Sequence, residues 1–413
     1  MPPLPRRVLR AAQIAAALLP LLLLHARALA EVAVAVIDLA FLWQLAATRS
    51  WRWLVAAEAL PGLLFWAWQL VCSLPLHAAG GMPAFVQAVV SLRWFLLVPA
   101  LGRVVLAETG ARAWITRMLA VAVLYIGANV WLQQLTGFDM WGFRRWWADG
   151  SLTGPFYEPR ASAPLVRMLF AVLLPVLARV RLVAAAALLL LTVVTMVIIG
   201  QRMPLLLLLL GLAVTALLLR RLRPLALAAL VMAPLLVLAT AVFSPQAHHR
   251  LVTLFLHTME HFPDSPYGSL YLRSLAMAQN HPLLGWGFDG FRHACAEPVN
   301  FRAFPALGQH LVQGGGAGVC NIHPHNIYLE ALTNAGLPGL LLFAAASLGW
   351  LLVAGRGLLR RTDPLRAGVF VACLVHLWPI ASSSSAFDVY SSGIFFMMAG
   401  LAAALALAQA PAG

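Results

Sequence analysis

The stretch LVAAAALLLLTVVTMVIIGQRMPLLLLLLGLAVTALLL, residues 182–219, decides the fold class of this chain. It consists of two continuous apolar runs joined by the five-residue turn GQRMP. Each run is close to the roughly 20 apolar residues that a helix needs to cross the hydrocarbon core of a bilayer. Strands of a membrane barrel would instead alternate apolar and polar residues. The stretch therefore predicts two membrane-spanning α-helices.

The composition extends this prediction to the whole chain of 413 residues. Hydrophobic residues make up 62% of it and charged residues only 10%, with a mean hydropathy of +0.86. Soluble domains carry about 25% charged residues, so the composition excludes a soluble protein. It predicts an all-α integral membrane protein folded as a single polytopic domain over residues 1–413. The length criterion predicts about twelve spans, at 8–29, 31–48, 53–76, 84–106, 113–135, 160–179, 182–200, 203–220, 224–243, 336–358, 365–382 and 389–409.

The basic residues set the predicted orientation, because they concentrate on cytoplasmic loops. Each of the 28 is an arginine, and clusters recur at the N-terminus and in every second turn, for example Arg220, Arg221 and Arg223, or Arg356, Arg360, Arg361 and Arg366. This alternation places both termini in the cytoplasm. A competing interpretation is a cleavable signal peptide, because PRRVLR precedes an apolar run and a small-residue sequence near Ala30. The arginines form no basic stripe, so nucleic acid is not predicted as a partner.

Two hydrophilic segments, 136–159 and 244–335, fall on the opposite, predicted periplasmic side. The shorter is rich in Trp, Phe and Arg, which suit a boundary between membrane and water. In the longer one, SLYLRSLAMAQ (269–279) predicts an amphipathic helix that ends at an Asn-His-Pro sequence. GWGFDGF (285–291) then predicts a glycine-rich turn. The longer segment is therefore expected to carry short helices on the outer surface.

The four cysteines divide into two pairs. Cys72 and Cys373 lie in predicted spans, where a thiol acts as a small apolar side chain. Cys295 and Cys320 lie in the longer outer segment, which faces an oxidising compartment in a bacterium. They predict a disulfide that stabilises this segment by about 3 kcal/mol, with two free thiols as the alternative.

The densest polar signal, HPHNIYLEALTNAGLPG (323–339), lies where the chain re-enters an apolar run. It predicts a helix that begins near His325 and Asn326 and breaks at Gly336 before the span proper. Backbone N–H groups at a helix start disfavour a charged imidazolium. His325 is therefore predicted to stay neutral and able to accept a proton. The alternative is a histidine that only caps the helix or anchors at the interface.

Histidine pairs also raise the question of a metal site. His323 with His325, or His257 with His261, could each supply two zinc ligands, whereas a site needs at least three. No acidic or cysteine partner lies at a recognisable spacing from either pair. The sequence therefore predicts no catalytic metal.

Several arginines gather near the outer membrane boundary. Arg202 lies in the GQRMP turn, which is too short to leave the headgroup region, and Arg273 lies on the predicted outer helix. Arg160 opens the sixth span, while Arg167 and Arg93 lie within spans, where an arginine costs several kcal/mol and is a functional candidate. Snorkelling to lipid phosphates is the alternative. Because guanidinium groups pair bidentately with phosphate, the set predicts an anionic, lipid-linked ligand.

His325 and Asn326, followed after nine residues by Gly336-x-x-Gly339, resemble the motif of bacterial O-antigen ligases, within the wider group of O-antigen ligases and polymerases. The predicted spans and the large outer segment before the motif are also similar to this family. The resemblance implies a glycosyltransferase of the inner membrane with a periplasmic active site, which needs no metal or other cofactor. It also implies transfer of an O-antigen glycan from undecaprenyl pyrophosphate to a sugar hydroxyl of lipid A–core.

The same resemblance implies roles for particular residues. His325, Arg202 and Arg273 match the histidine and the two arginines that are essential in the family. Gln201 stands where the family often has a serine before the first arginine. Asp388, in the last outer turn, matches a further acidic position. The remaining candidates for substrate binding are Arg160, Arg167, Arg93 and Asn326.

The resulting hypothesis is a direct displacement with inversion, in which His325 accepts the proton of the hydroxyl while Arg202 and Arg273 hold the diphosphate. An O-antigen polymerase and a protein-glycosylating relative use the same donor and remain alternatives. A flippase or permease for lipid-linked glycans is the alternative from a different class. A transporter is expected to place its polar features near the bilayer midplane, whereas here they gather at the outer boundary.

Overall fold

The computed structural model describes residues 4–309, 320–359, 363–382 and 385–409. Within these ranges the chain is helical, and its β-pairing is limited to an isolated bridge between Phe138 and Arg144. The all-α prediction is confirmed for this part of the chain. Arg360 and Arg361, which the sequence assigns to a cytoplasmic cluster, lie outside the described residues.

Eight helices of the described ranges are long and apolar enough to cross a membrane. Numbered in chain order, they are α1 (Arg6–His25), α2 (Arg27–Thr48), α4 (Gly81–Val105), α5 (Thr109–Thr136), α7 (Leu182–Ile199), α9 (Arg223–Phe243), α13 (Ile327–Gly355) and α15 (Val389–Leu407). Shorter apolar helices lie over the other predicted spans, namely α3 (Leu60–Cys72), α6 (Ser162–Leu177), α8 (Arg202–Leu218) and α14 (Pro364–His376). The chain is thus a multi-pass membrane protein, and the count of twelve spans stays a prediction.

Three further helices lie between α9 and α13: α10 (Leu254–Glu260), α11 (Pro266–Asn280) and α12 (Gly290–Ala294). The remaining helical pieces are single turns at Arg52–Val55, Pro245–His248, His249–Thr253, Phe262–Asp264, Pro298–Asn300 and Pro305–Leu307. The sequence predicts α11 from the amphipathic pattern of 269–279, and the helix does end at Asn280. Its start is set by Ser265, whose side chain accepts a hydrogen bond from the backbone N–H of Gly268, as an N-cap serine does.

Two boundaries differ from the predicted spans for local reasons. The span expected at 53–76 is helical only over α3, because Pro61 favours a helix start at this position and Pro75 disfavours helix in the residue before it. The span expected at 336–358 belongs to a helix that already begins at Ile327, because Asn326 caps it. Periodicity and hydropathy locate the apolar part of a helix, whereas caps and prolines set its ends.

α13 breaks where the sequence predicts. Ala335 and Gly336 have non-helical backbone angles, and Gly336 has a φ of +66°, which glycine adopts at little cost. A Cβ on Gly336 would lie 2.3 Å from the carbonyl oxygen of Leu283. The backbone N–H of Leu337 donates to Pro282 O at 2.7 Å. The turn after α11 therefore packs directly against the break.

Contacts between loops define one end of the helix bundle, called the outer end below. The Asn326 side chain donates to a carbonyl of the loop after α14 at 2.7 Å. Tyr390, at the start of α15, donates to Arg160 O at 3.4 Å. The Gln201 side chain donates to Ser151 Oγ at 3.4 Å. The loops that precede α6, α8, α13 and α15 therefore lie at the same end.

A small apolar cluster beside α11 holds the outer segment together. Its buried members are Leu270, Met277, Trp286, Phe291, Ala294 and Cys295. Cys295 is joined to Cys320 by a disulfide with a Cα–Cα distance of 5.7 Å. The bond connects the residue after α12 to the segment that leads into His325.

Loss of this disulfide is expected to lower the free energy of unfolding by about 3 kcal/mol, because the bond restricts the unfolded chain. Thermal unfolding in detergent, with and without a phosphine reductant, measures the change as a lower transition midpoint for the reduced protein. The double substitution Cys295→Ala with Cys320→Ala serves as the control, because its midpoint should not respond to the reductant. A wild-type midpoint that reduction leaves unchanged, with four free thiols counted, would contradict the expectation.

Candidate active site

His325 lies directly before the N-cap of α13, with a left-handed φ of +55°. Its Nε2 is 3.0 Å from the Asn321 amide nitrogen. Because an amide nitrogen only donates, Nε2 accepts this bond and carries no proton. The ring also contacts Tyr267 of α11, with ring centroids 5.6 Å apart. His325 is half-buried, so its imidazole is a proton acceptor at the surface of the outer end.

Asn326 anchors the start of α13 rather than facing outward. Its Oδ1 accepts hydrogen bonds from the backbone N–H groups of Tyr328 and Leu329 at 3.0 and 3.1 Å. Its amide nitrogen donates to Pro379 O, and the Tyr271 hydroxyl of α11 is also bonded to it. The side chain is buried. These contacts favour a role in positioning His325, and the predicted role in substrate binding stays a prediction.

His323 is the buried neighbour of His325. The two rings meet edge to face with centroids 4.4 Å apart. Burial lowers the pKa of His323 to about 4, and electrostatic interactions with His325 and Arg292 add to this shift. Its Nδ1 has no hydrogen-bond partner in the described part of the chain. His323 is therefore neutral at pH 7 in the folded protein.

Folding stability is expected to fall as the pH drops from about 6.5 toward 4, because the unfolded chain then binds a proton that folded His323 does not. The pKa difference corresponds to at most about 3 kcal/mol, present above pH 6.5 and lost near pH 4. Unfolding midpoints across this range should decrease less steeply for His323→Phe. Exposed His77 provides the control, since His77→Phe should keep the wild-type slope. Equal slopes in all three proteins would contradict this assignment.

Arg202 lies at the mouth of a cavity of about 610 Å³ at the outer end. It is the first residue of α8, after Gly200, which has a φ of +73° and ends α7. Its Nη1 donates to Leu254 O at 3.3 Å and to Thr258 Oγ1 at 3.2 Å, both on α10. The expectation that the short turn holds this guanidinium at the membrane boundary stays a prediction. The helix start adds partial positive charge at the same place.

Arg250 also lines this cavity, although sequence analysis singles out no role for it. It is buried, and its Nη1 donates to Asp149 O at 2.8 Å and to Ser151 Oγ at 2.6 Å. Burial lowers the pKa of Arg250, and the Asp149 charge opposes that shift. Nothing in the local sequence around Arg250 distinguishes it, because its partners come from a segment 100 residues earlier.

Arg273 points into the core of the outer segment. Its Nη1 donates to Cys295 O at 2.8 Å, and its guanidinium lies 4.6 Å from the centre of the Phe301 ring. The side chain is buried, which lowers the pKa of Arg273. On a helix with about 100° per residue, it lies on nearly the opposite side from Tyr271, which contacts Asn326. The structure thus places Arg273 next to Cys295 of the disulfide.

The Arg202 cavity and His325 are linked through helices α10 and α11. Arg202 contacts Thr258 on α10, and His325 contacts Tyr267 on α11. A single turn at Phe262–Asp264 connects the two helices, and Gly268 packs against its backbone. Both centres are therefore at the outer end, and α10 and α11 lie between them.

Comparison with known proteins identifies the chain's relatives. Residues 186–344 match the protein-family model described as O-antigen ligase. Over these residues the chain is similar to the O-antigen ligase family. This similarity supports a membrane glycosyltransferase of the O-antigen ligase or polymerase type. No match was found among curated proteins. The matched segment includes Arg202, Arg273 and His325, together with the Gly336-x-x-Gly339 part of the motif.

Arg167 and Asp388, two further candidates from the sequence, lie close together at the start of α15. Arg167 is buried, and its Nη1 donates to Ser391 Oγ at 2.7 Å. The Asp388 side chain accepts from the backbone N–H of Ser391 as the N-cap of α15. Beside them, Glu330 of α13 accepts from Ser385 Oγ and from the backbone N–H of Ala386, both at 2.6 Å.

Arg93 and Arg160 each have a carboxylate partner. Arg93 forms a bidentate ion pair with Glu31 of α2, with both N–O distances at 2.7 Å. Exposed Arg160 pairs with Glu158. An internal partner neutralises the charge that a phosphate would use, and binding at Arg93 would require this pair to open. Their predicted role in substrate binding stays a prediction.

No group of three or more His, Cys, Asp or Glu side chains that could hold a metal occurs in the described ranges.

The residues around His325 that sequence analysis missed are Asn321, Tyr267 and Tyr271. The spacing of the two tyrosines, four residues apart on α11, is the signal that could have found them, because it places them on the same helical face. No comparable pattern marks Asn321.

Proposed function

We propose that the protein transfers an O-antigen glycan from undecaprenyl pyrophosphate to a sugar hydroxyl of lipid A–core. The observation that supports this proposal is the family match over residues 186–344, which contains both His325 and Arg202. His325 supplies an unprotonated ring nitrogen at the outer end, and Arg202 supplies a guanidinium at a cavity of the same end. The proposed location is the inner membrane, with the active site facing the periplasm and both termini in the cytoplasm.

In the proposed reaction the acceptor hydroxyl takes the place of the Asn321 amide at His325 Nε2. Its oxygen attacks the anomeric carbon of the donor sugar while its proton moves to Nε2. The bond between that carbon and the diphosphate oxygen breaks, and the bonding electrons leave with the diphosphate. A new glycosidic bond forms with inverted configuration. Undecaprenyl pyrophosphate is the second product, and the imidazolium later returns its proton to water.

Negative charge grows on the diphosphate as the bond breaks, so fixed positive groups accelerate the step. We assign this role to Arg202 and Arg273. Arg202 lines the cavity, and its hydrogen bonds to the described residues go to neutral oxygens of α10. Arg273 is covered by Phe301, so its participation requires Phe301 to move off the guanidinium. Asn326 and Asp388 are proposed to position the ends of α13 and α15 around the substrates.

A reconstituted reaction tests the proposal. Purified protein is supplied with undecaprenyl-pyrophosphate glycan and core-terminated lipid A, with no divalent metal or nucleotide sugar. Glycan attached to lipid A is the expected product. Elongated chains on the carrier would instead identify a polymerase, and glycan on a protein acceptor would identify a protein-glycosylating relative. Movement of the donor across vesicles without any glycosidic product would identify a flippase.

A further inference from the structure

Arg250 has donor groups that the protein leaves unused. Its hydrogen bonds within the described residues all come from Nη1, which donates to the backbone and side chain of Asp149 and to Ser151. Nε is buried and has no partner in the same ranges. Nη2 lies against Gly200, where an added Cβ would come within 2.4 Å of it. Nη1 of the guanidinium is thus fixed by hydrogen bonds, while the edge formed by Nε and Nη2 lies at the start of α8.

The surroundings of this edge favour an anion. Gly200, Gln201 and Arg202 line the same cavity as Arg250. α8 has 17 residues, and no side chain of the described ranges caps its first N–H groups. Such a helix start attracts negative charge. The opposing charge is Asp149, whose side chain is 41% exposed and therefore screened by water.

A diphosphate fits this arrangement better than a single phosphate does. Its two linked phosphoryl groups carry more charge than one guanidinium neutralises, and arginine pairs with phosphate through two parallel N–H bonds. Arg202 and Arg250 outnumber the single carboxylate among the described residues of this cavity. The cavity volume of about 610 Å³ lies within the range of ligand pockets, about 300–1,000 Å³.

We propose that Arg250 is a binding residue for the diphosphate of the lipid-linked donor, which it holds together with Arg202 and the start of α8. This inference rests on the proposed function for the identity of the donor. The Nη1 bonds to residues 149–151 keep the side chain oriented, so the site is formed before the donor arrives. Preformed positive groups are the ones that stabilise developing charge most effectively.

Calorimetric titration of the purified full-length protein with inorganic pyrophosphate, at fixed ionic strength, tests the inference. Arg250→Gln is expected to weaken binding by about tenfold, because a charge-assisted pair is lost. Asp149→Asn is expected to tighten binding by about threefold, since it removes the opposing charge and keeps the oxygen that accepts from Ser151. Arg302→Gln is the control, because Arg302 is exposed on the outer segment and bonds Gln279.

A purely structural Arg250 would give another result. Both cavity variants would then lower the thermal midpoint, while the affinity for pyrophosphate stayed at the wild-type value, and this would overturn the inference. If Arg250→Gln does not fold, the direction of the change in pyrophosphate affinity in Asp149→Asn decides whether the inference holds. Tighter binding supports the site, and unchanged or weaker binding overturns it.

Competition on the wild-type protein separates the possible sources of phosphate. Undecaprenyl pyrophosphate should displace inorganic pyrophosphate, and phosphatidylglycerol at the same concentration should not. Equal displacement by both would indicate a site for anionic headgroups and would overturn the donor assignment. If the variants change pyrophosphate affinity as expected but the protein transfers no glycan to lipid A, the diphosphate site is supported and the proposed function is wrong. If the protein transfers glycan to lipid A but Arg250→Gln binds pyrophosphate as the wild type does, the proposed function is supported and the role of Arg250 is wrong.

Discussion

His325→Asn is expected to reduce the rate of glycan transfer to lipid A by about 100-fold or more, the usual contribution of a general base. Asparagine tolerates the left-handed backbone that His325 adopts, so the start of α13 should be retained. Its side chain cannot take up a proton at neutral pH. The measurement is the initial rate in the reconstituted reaction, with equal thermal midpoints checked first.

His77→Asn is the matched control, because His77 is an exposed histidine of the outer end that lies two residues before the Ala79–Trp286 backbone contact. Its rate should equal that of the wild type. His325→Gly adds a second comparison, since glycine adopts the left-handed conformation most easily. Transfer by His325→Asn at the wild-type rate would remove His325 from the chemistry and leave it as a residue of the turn.

Arg202→Gln is expected to lower the rate of transfer by about 100- to 1,000-fold, the range seen when a group that stabilises developing charge is removed. The loss should appear in the maximal rate more than in the half-saturating donor concentration, because the charge grows during the reaction. Arg202→Lys keeps the positive charge but lacks the planar fork, and we expect an intermediate rate. Initial rates over a range of donor concentrations separate the two effects.

Two controls belong to this experiment. Thr258→Val removes a hydrogen-bond acceptor of Arg202 but leaves the guanidinium in place, so it should cost far less than Arg202→Gln. Arg144→Gln removes an exposed arginine of the same outer end. If Arg144→Gln reduced the rate as much as Arg202→Gln, the arginines would act only through the general surface potential, and the specific assignment would be wrong.

Much of the architecture follows from local physics that a sequence records. Continuous apolar runs predict membrane helices, and the structure has a helix over each predicted span. The break in α13 follows from a glycine that needs a positive φ. The start of the same helix was predicted within two residues, because the polar residues His325 and Asn326 precede the re-entry into an apolar run. These features depend on neighbours in the chain, so one sequence is enough to find them.

Sequence analysis is less able to predict contacts between residues that are far apart in the chain. Arg93 and Glu31 are 62 residues apart in the chain, and their bidentate contact is set by how α2 and α4 pack. Arg273 was grouped with His325 because both match residues that are essential in the resembled family, yet the helix turns its guanidinium toward Cys295. Arg250 drew no attention for the converse reason, since its cavity is assembled from three separate parts of the chain.

The break at Gly336 separates the first turns of α13, next to His325, from the part of the helix that is long enough to span a bilayer. Residues 337–355 rise about 28 Å at 1.5 Å per residue, which matches a hydrocarbon thickness of about 30 Å. The first turns of α13 lie beyond this length and are tied to the outer segment, because the backbone N–H groups of Trp286 and Gly287 donate to Thr333 O and Asn334 O. We therefore expect a change in bilayer thickness to tilt residues 337–355, while His325 stays fixed to the outer segment.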